Sequence, residues 1–195
     1  VMRIIYTAVW IACAAAVSLC FKKNFFEDYR VVIKRNRTQL AVIPVCALLA
    51  FVLGAALNNI IGYLIDVLPV PEAWIKANNE SVSSAGSGGM AAVLIALYVA
   101  APLSEELVFR GKGYRHVEES CGRIAAAVIS SLLFAFAHGN MLQGIYAFAA
   151  GMLFSIIISR SGSLITGVFA HMGFNISNAL TFALFRGIDG NILII

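Results

Sequence analysis

The chain is a succession of long apolar runs separated by short polar clusters. The runs cover about Ile4 to Phe21, Leu40 to Leu68, Met90 to Phe109, Arg123 to His138, Met141 to Ser159 and Leu164 to Phe185. Most approach the ~20 residues a helix needs to cross ~30 Å of hydrocarbon. The pattern predicts an all-α fold: a polytopic transmembrane helix bundle of about six spans. Inside the second run lie Pro44, Gly54 and the pair Asn58-Asn59, all tolerable where neighbouring helices cover the freed backbone groups. The third run contains Pro102, which removes a backbone hydrogen bond and predicts a kink that opens space beside Glu105. The fourth, Arg123 to His138, measures only ~24 Å by helical rise before Gly139-Asn140 turns the chain. In the fifth, Gly144 and Gly151 permit close helix approach.

The segments between the runs set an orientation. Lys22, Lys23, Arg30, Lys34, Arg35 and Arg37 stand against only Glu27 and Asp28, and Arg110, Lys112, Arg115 and Arg123 against Glu118 and Glu119. Both loops are predicted to be cytoplasmic, since Lys and Arg collect on that side. The second also has room for a short interfacial helix. Residues 69–89 carry Pro69, Pro71, Trp74, a polar stretch and the Gly/Ser-rich Ser83 to Gly89, which predicts an external loop ending in a flexible linker. Six spans with these loops inside leave both ends of the sequence external. Val1-Met2-Arg3 ahead of an apolar run resembles the start of a signal peptide. No small-residue cleavage site precedes a polar region, so the first run is read as a retained span. No internal repeat is evident, and residues 1–195 are read as one integral-membrane domain.

Composition strengthens this reading. Of 195 residues 61% are hydrophobic and 12% charged, with a mean hydropathy of +0.88, whereas a soluble domain carries about twice that charge. The net charge of +4 therefore reflects loop bias and not a nucleic-acid surface; the partners to expect are membrane lipid and no nucleic acid. Cys13, Cys20, Cys46 and Cys121 show no CxxC pair or metal-ligand spacing, and no disulfide framework is expected. Asn79-Glu80-Ser81 matches a glycosylation acceptor, a pattern too common by chance to carry weight.

Against this background the polar residues within the runs are candidates for chemistry, because charged groups in a membrane cost ~3 kcal/mol or more and persist where they are paired, wet or working. On a helix Glu106 and Arg110 are four apart and can pair, whereas Glu105 is rotated by about 100°. His138 follows Phe134 by four, and His171 precedes Asn175 by four, so each pair shares a helix face. His116 lies in a basic loop and is read as solvated. A lone histidine in a bundle is more often a structural hydrogen bonder, but three runs each supplying such groups favour one shared site in a cavity within the membrane. Glu105 suits a general base toward water, one imidazole its partner, and His171 with Asn175 the donors to an oxyanion. No Ser or Cys has an obvious claim as nucleophile. No cofactor is certain. Zinc is an open alternative: Glu105, His138 and His171 are a carboxylate and two histidines, a ligand set that leaves a position for water, although no His-Glu-x-x-His is present.

Glu-Glu-x-x-x-Arg (Glu105, Glu106, Arg110), Phe-x-x-x-His (Phe134, His138) and His-x-x-x-Asn (His171, Asn175) occur in that order. The ordered set resembles the CAAX protease and bacteriocin-processing (CPBP, or Abi) family of intramembrane endopeptidases, which includes the type II CAAX prenyl endopeptidases. The resemblance covers about residues 90–180, and the motif residues depart nowhere from its pattern. It implies Glu105 as the base that activates water with His138 beside it, His171 and Asn175 as stabilisers of the oxyanion, and Glu106 with Arg110 as the brace. It further implies a peptide or protein substrate, lipid-modified or bacteriocin-like, cut near the cytoplasmic face of a bacterial plasma membrane.

Two other classes fit the same composition. A membrane scaffold or bacteriocin self-immunity protein could keep the fold and work by binding, but it could lose Glu105 freely. A small transporter or proton pathway also uses intramembrane Glu and His, but the paired halves of many transporters are not evident. One geometric condition attaches to the hydrolase: in straight spans Glu105 lies nearer the cytoplasmic side and His138 nearer the external side. Convergence then requires a fourth helix that starts above the membrane surface with its Gly139-Asn140 turn buried in protein, or a third helix displaced at Pro102.

Overall fold

A computed structural model describes residues 37–85 and 90–185. Among them the structure is helical with no strand: α1 (Arg37–Val67), α2 (Glu72–Ala85), α3 (Met90–Ile95), a π turn (Ala96–Ala100), α4 (Ala101–Arg110), α5 (Lys112–Cys121), α6 (Arg123–Ala137), α7 (Met141–Ser161) and α8 (Leu164–Phe185). The expected first span, Ile4 to Phe21, and the basic loop after it lie outside the described residues. Three stretches are long and apolar enough to cross a membrane by length and composition: Leu40–Val67, Ala91–Cys121 and Met141–Ser161. α6 is a shorter apolar helix, as its run predicts. The architecture is that of a membrane helix bundle.

α1 and α8 make the broadest helix contact, and glycine permits it. A Cβ on Gly173 would stand 2.3 Å from the Ala47 carbonyl oxygen, and one on Gly54 2.4 Å from Ser177 Oγ. Small residues at such crossings let backbones approach in lipid, where dispersion replaces the hydrophobic drive. The remaining circumference of α1, including Leu48, Val52, Ile60 and Tyr63, is exposed and suits acyl chains. The core lies between α1, α6, α7 and α8, where Ala50, Phe134, Tyr146, Phe154, Ala170 and Phe174 are buried together.

The structure departs from expectation in two places and gives form to it in a third, at Pro102. Residues 72–85 are a helix, not a loop, and the expected linker is helical through Ala85. Asn and Ser are weak helix formers, but Glu72 lies in the first turn, where its charge suits the helix N-terminus. Lys76 and Glu80 pair at 4.0 Å, Asn78 is buried, and Ser81 Oγ donates to Gln143 Oε1 on α7 at 3.4 Å. Docking thus overrides propensity. At Pro102 the helical rod does not break. The π turn precedes it, and the Ala101 N–H bonds to the Ala96 carbonyl, five residues back. This shift re-registers the chain before the proline, and all the flanking angles remain helical. Finally, the Gly139-Asn140 turn is not buried in protein: Gly139 is exposed and Asn140 half-buried. Gly139 takes φ +73°, and Asn140 caps α7 by accepting the Gln143 N–H at 2.8 Å.

The loop after α4 holds the expected short helix, α5. Its Glu118 anchors two elements, accepting from Ser159 Oγ at 3.0 Å and pairing with Arg123 at 3.4 Å.

Candidate active site

The acidic pair divides on α4. Glu106 points into the protein and is fully buried, whereas the Glu105 side chain retains 26% exposure. Adjacent helical positions differ by about 100°, so one turn of helix supplies one enclosed and one reachable carboxylate.

Glu106 Oε1 receives two donors. Arg110 Nη1 lies 3.2 Å away, one turn along the same helix. His171 Nδ1, from α8, lies 2.9 Å away. All three side chains are buried, where a charge without a partner is costly. Arg110 is further enclosed by aromatic faces: its Cζ is 4.5 Å from the Phe134 ring centroid, 5.8 Å from Phe154 and 5.9 Å from Phe109, a cation–π arrangement that compensates for lost hydration. A Cβ on Gly151 would meet Arg110 Nη2 at 2.6 Å and Ser131 Oγ at 2.9 Å, so only glycine leaves room for the guanidinium against α7.

A carboxylate oxygen only accepts, so His171 presents Nδ1–H to Glu106 and turns Nε2 the other way. Nε2 then lies 3.6 Å from Glu105 Oε2, which makes His171 the bridge between the buried and the reachable carboxylate. The imidazole is stacked on Phe154, ring centroids 4.5 Å apart and 23° between planes, and meets Phe134 edge-on at 5.7 Å.

His138 approaches from the end of α6. Its Nδ1 is 2.7 Å from the Phe134 carbonyl oxygen, which makes Nδ1 the donor and Nε2 the acceptor of the neutral ring. The ring packs edge-on against Phe134 at 4.7 Å. Phe134 therefore touches both histidines and the arginine, and brings the Phe-x-x-x-His motif into the site through its ring. Asn175, one turn beyond His171, donates from Nδ2 to the Leu97 carbonyl at 3.1 Å. That carbonyl belongs to the π turn. The register shift takes the Ala101 N–H away from it, and the next residue in the π pattern, Pro102, has no N–H to offer. Asn175 supplies the missing donor and keeps its second amide N–H.

The structure thus joins Glu105, Glu106, Arg110 and His171 directly, attaches His138 through Phe134, and ties Asn175 to the backbone of the helix that carries the glutamates. Sequence reading missed Phe154, Phe109 and the Leu97 carbonyl, since nothing separates these from the other apolar positions of their helices. It assigned Gly151 to helix packing without its relation to Arg110. For zinc, Glu105, His138 and His171 do not close into a ligand set: among the described residues no three His, Cys, Asp or Glu side chains come together to hold a metal.

No curated protein and no solved structure matches the chain. A family model does match, that of the type II CAAX prenyl endopeptidase Rce1-like family, over residues 87–177. That range begins just before α3 and ends beyond Asn175, so it contains every residue of the cluster described above. Residues 87–177 of this integral membrane chain are accordingly similar to the Rce1-like family, a family of proteases.

Proposed function

We propose that the protein is an intramembrane endopeptidase that hydrolyses a peptide bond with a water activated by Glu105. The observation that carries this reading is the ordered line Arg110–Glu106–His171–Glu105, three buried groups ending on one reachable carboxylate. A general base needs access to water and a fixed direction. Glu105 has exposure, and the groups behind it are held rigidly.

In the proposed reaction Glu105 takes one proton from water as the oxygen attacks the peptide carbonyl. The C=O pair moves onto oxygen, giving a tetrahedral oxyanion. His171 Nε2 and the second Asn175 N–H donate to that oxygen. With Nδ1–H committed to Glu106, Nε2 acts as a donor by sharing the proton that Glu105 has taken from water, across the 3.6 Å that separates them. Collapse of the intermediate breaks the C–N bond, and the proton on Glu105 passes to the departing amine. His138, with Nε2 as its acceptor nitrogen, assists in orienting the water. A protease acts on a peptide or protein, and we take a lipid-modified peptide at the cytoplasmic face of a bacterial plasma membrane as the first candidate.

The test is cleavage of an internally quenched peptide ending in a prenylated Cys-a-a-X box by the protein in liposomes, comparing wild type with Glu105→Ala and His171→Ala. Cleavage by wild type alone supports the reading. Cleavage that survives both substitutions in folded, inserted protein sinks it.

A further inference from the structure

Phe154 lies in no motif that the sequence displays, and neither the proposed base nor the oxyanion donors include it. It is nonetheless the residue in closest ring contact with His171: centroids 4.5 Å apart, planes inclined by 23°. The ring is completely buried, and it is held in turn by an edge-to-face contact with Phe174 at 5.5 Å.

The need for such a contact follows from the histidine side chain. Its terminal torsion joins an sp³ to an sp² carbon and is broad, so rotamer preference does not set the ring plane. The hydrogen bond from Nδ1 to Glu106 selects between the two flipped orientations, because only one puts a donor on the carboxylate. It leaves the ring free to rock about that contact, and rocking carries Nε2 on the far side of the ring off Glu105. A flat aromatic face against the imidazole removes this freedom. Phe134, edge-on at 83°, closes the side and is itself fixed beneath Arg110.

Building on the reading of His171 as a working group, we propose that Phe154 is a positioning residue for the hydrolytic reaction, fixing the plane of the His171 imidazole so that Nδ1 stays on Glu106 while Nε2 faces Glu105. The substrate does not touch it. Its contribution passes through His171, since the nearer face to Arg110 is Phe134 at 4.5 Å and not Phe154 at 5.8 Å; this separates it from a residue that merely fills the core, because replacing it disturbs the imidazole's orientation and leaves peptide binding intact.

The test uses Phe154→Leu and Phe154→Met, which keep an apolar side chain without a flat face, and Phe154→Tyr, which keeps the face. Each is measured in liposomes on the quenched prenylated peptide, and each is labelled with ¹⁵N-histidine in detergent, the His171 signals being assigned by their loss in His171→Gln. In the Leu and Met variants kcat falls on the order of 10²-fold, the scale of an ångström-level misplacement, with KM unchanged. The His171 signal, which reports a single Nδ1–H form in wild type, becomes a mixture of tautomers, and Phe154→Tyr restores both readouts. Wild-type kcat and a single tautomer in both Leu and Met variants would overturn the proposal, as would a tyrosine variant that keeps the wild-type melting temperature yet fails alongside them. If wild type does not cleave the peptide, the hydrolase reading is what fails, and the tautomer comparison still decides whether Phe154 holds the ring.

Discussion

His171 Nδ1 and Arg110 Nη1 meet on a single oxygen of Glu106, at 2.9 Å and 3.2 Å. This shared acceptor gives Glu106 a wider part than bracing its neighbour along the helix. It joins α4 to α8, neutralises a buried guanidinium, and orients the imidazole whose far nitrogen faces Glu105. Two adjacent, chemically identical residues therefore carry different duties, and the difference comes entirely from the side of the helix on which each emerges.

Glu105→Gln tests the reachable member. The amide keeps the size and polarity of the side chain but removes the proton acceptor, and general-base contributions amount to about 10²–10⁴-fold. Turnover of the quenched peptide should fall by that order. Thermal stability in detergent should be unchanged, because Glu105 is partly exposed and the Glu106–Arg110 pair is intact. A loss of melting temperature comparable with the loss of activity would assign Glu105 a structural role.

Glu106 and Arg110 should behave oppositely. Glu106→Ala leaves a buried guanidinium and a buried imidazole N–H without their acceptor, and breaking such a pair costs about 3–5 kcal/mol. Arg110→Met leaves the carboxylate with His171 alone. Both single variants should melt well below wild type and lose activity. The double variant should recover part of the stability, because no unpaired charge remains, while staying inactive because His171 is no longer directed. Additive losses in the double-variant cycle would show that the two residues do not act as a unit.

The sequence conveyed much of this arrangement for one reason: in a membrane a charge is conspicuous. Glu105, Glu106, Arg110, His138 and His171 stand out because the runs that carry them are otherwise largely apolar, and the helices α7 and α8 follow directly from run length. Features whose signal is relational were not legible. Phe154 matters by facing an imidazole from another helix, and the Leu97 carbonyl matters because a π turn and a proline leave it without a partner. Helix α2 was hidden for a similar reason, since its composition argues for a loop and its contacts with α7 are tertiary. At Pro102 the reading located the irregularity but not its form, a π turn that shifts register just before the proline.

That register shift makes its own prediction. Asn175→Ala removes the donor from the part-buried Leu97 carbonyl; an unsatisfied acceptor costs about 1–3 kcal/mol when fully buried, and the loss here should fall toward the lower end. Stability and turnover should both fall. Pro102→Ala returns a backbone N–H at the position that the π pattern would use, so Pro102→Ala combined with Asn175→Ala should regain stability over Asn175→Ala alone. Activity should not return with it, because the proposed oxyanion donor is still missing. Equal melting temperatures for Asn175→Ala with and without the proline change would disconnect Asn175 from the turn.

The glycines separate packing from chemistry. At Gly173 a methyl group would stand 2.3 Å from the Ala47 carbonyl oxygen, and backbone cannot step aside, so Gly173→Ala must part α1 from α8. The cost expected of overpacking is about 1–3 kcal/mol, read as a lower melting temperature, with activity following stability. At Gly144 the nearest atom is the Ala135 carbonyl oxygen at 3.4 Å, which is ordinary contact; Gly144→Ala should be neutral, or stabilising by up to ~1 kcal/mol through helix propensity. Gly151→Ala is the discriminating case. Its methyl group would meet Arg110 Nη2 at 2.6 Å, and Arg110 is confined between Glu106 and the Phe134 face, so the strain passes along Glu106 to His171. Turnover should therefore drop more steeply in Gly151→Ala than in Gly173→Ala at matched loss of stability, measured on the same peptide in the same liposomes. Equal turnover in the two variants at equal stability would mean that the arginine can shift without moving the imidazole, and the line from Arg110 to Glu105 would then be packing and not a positioning device.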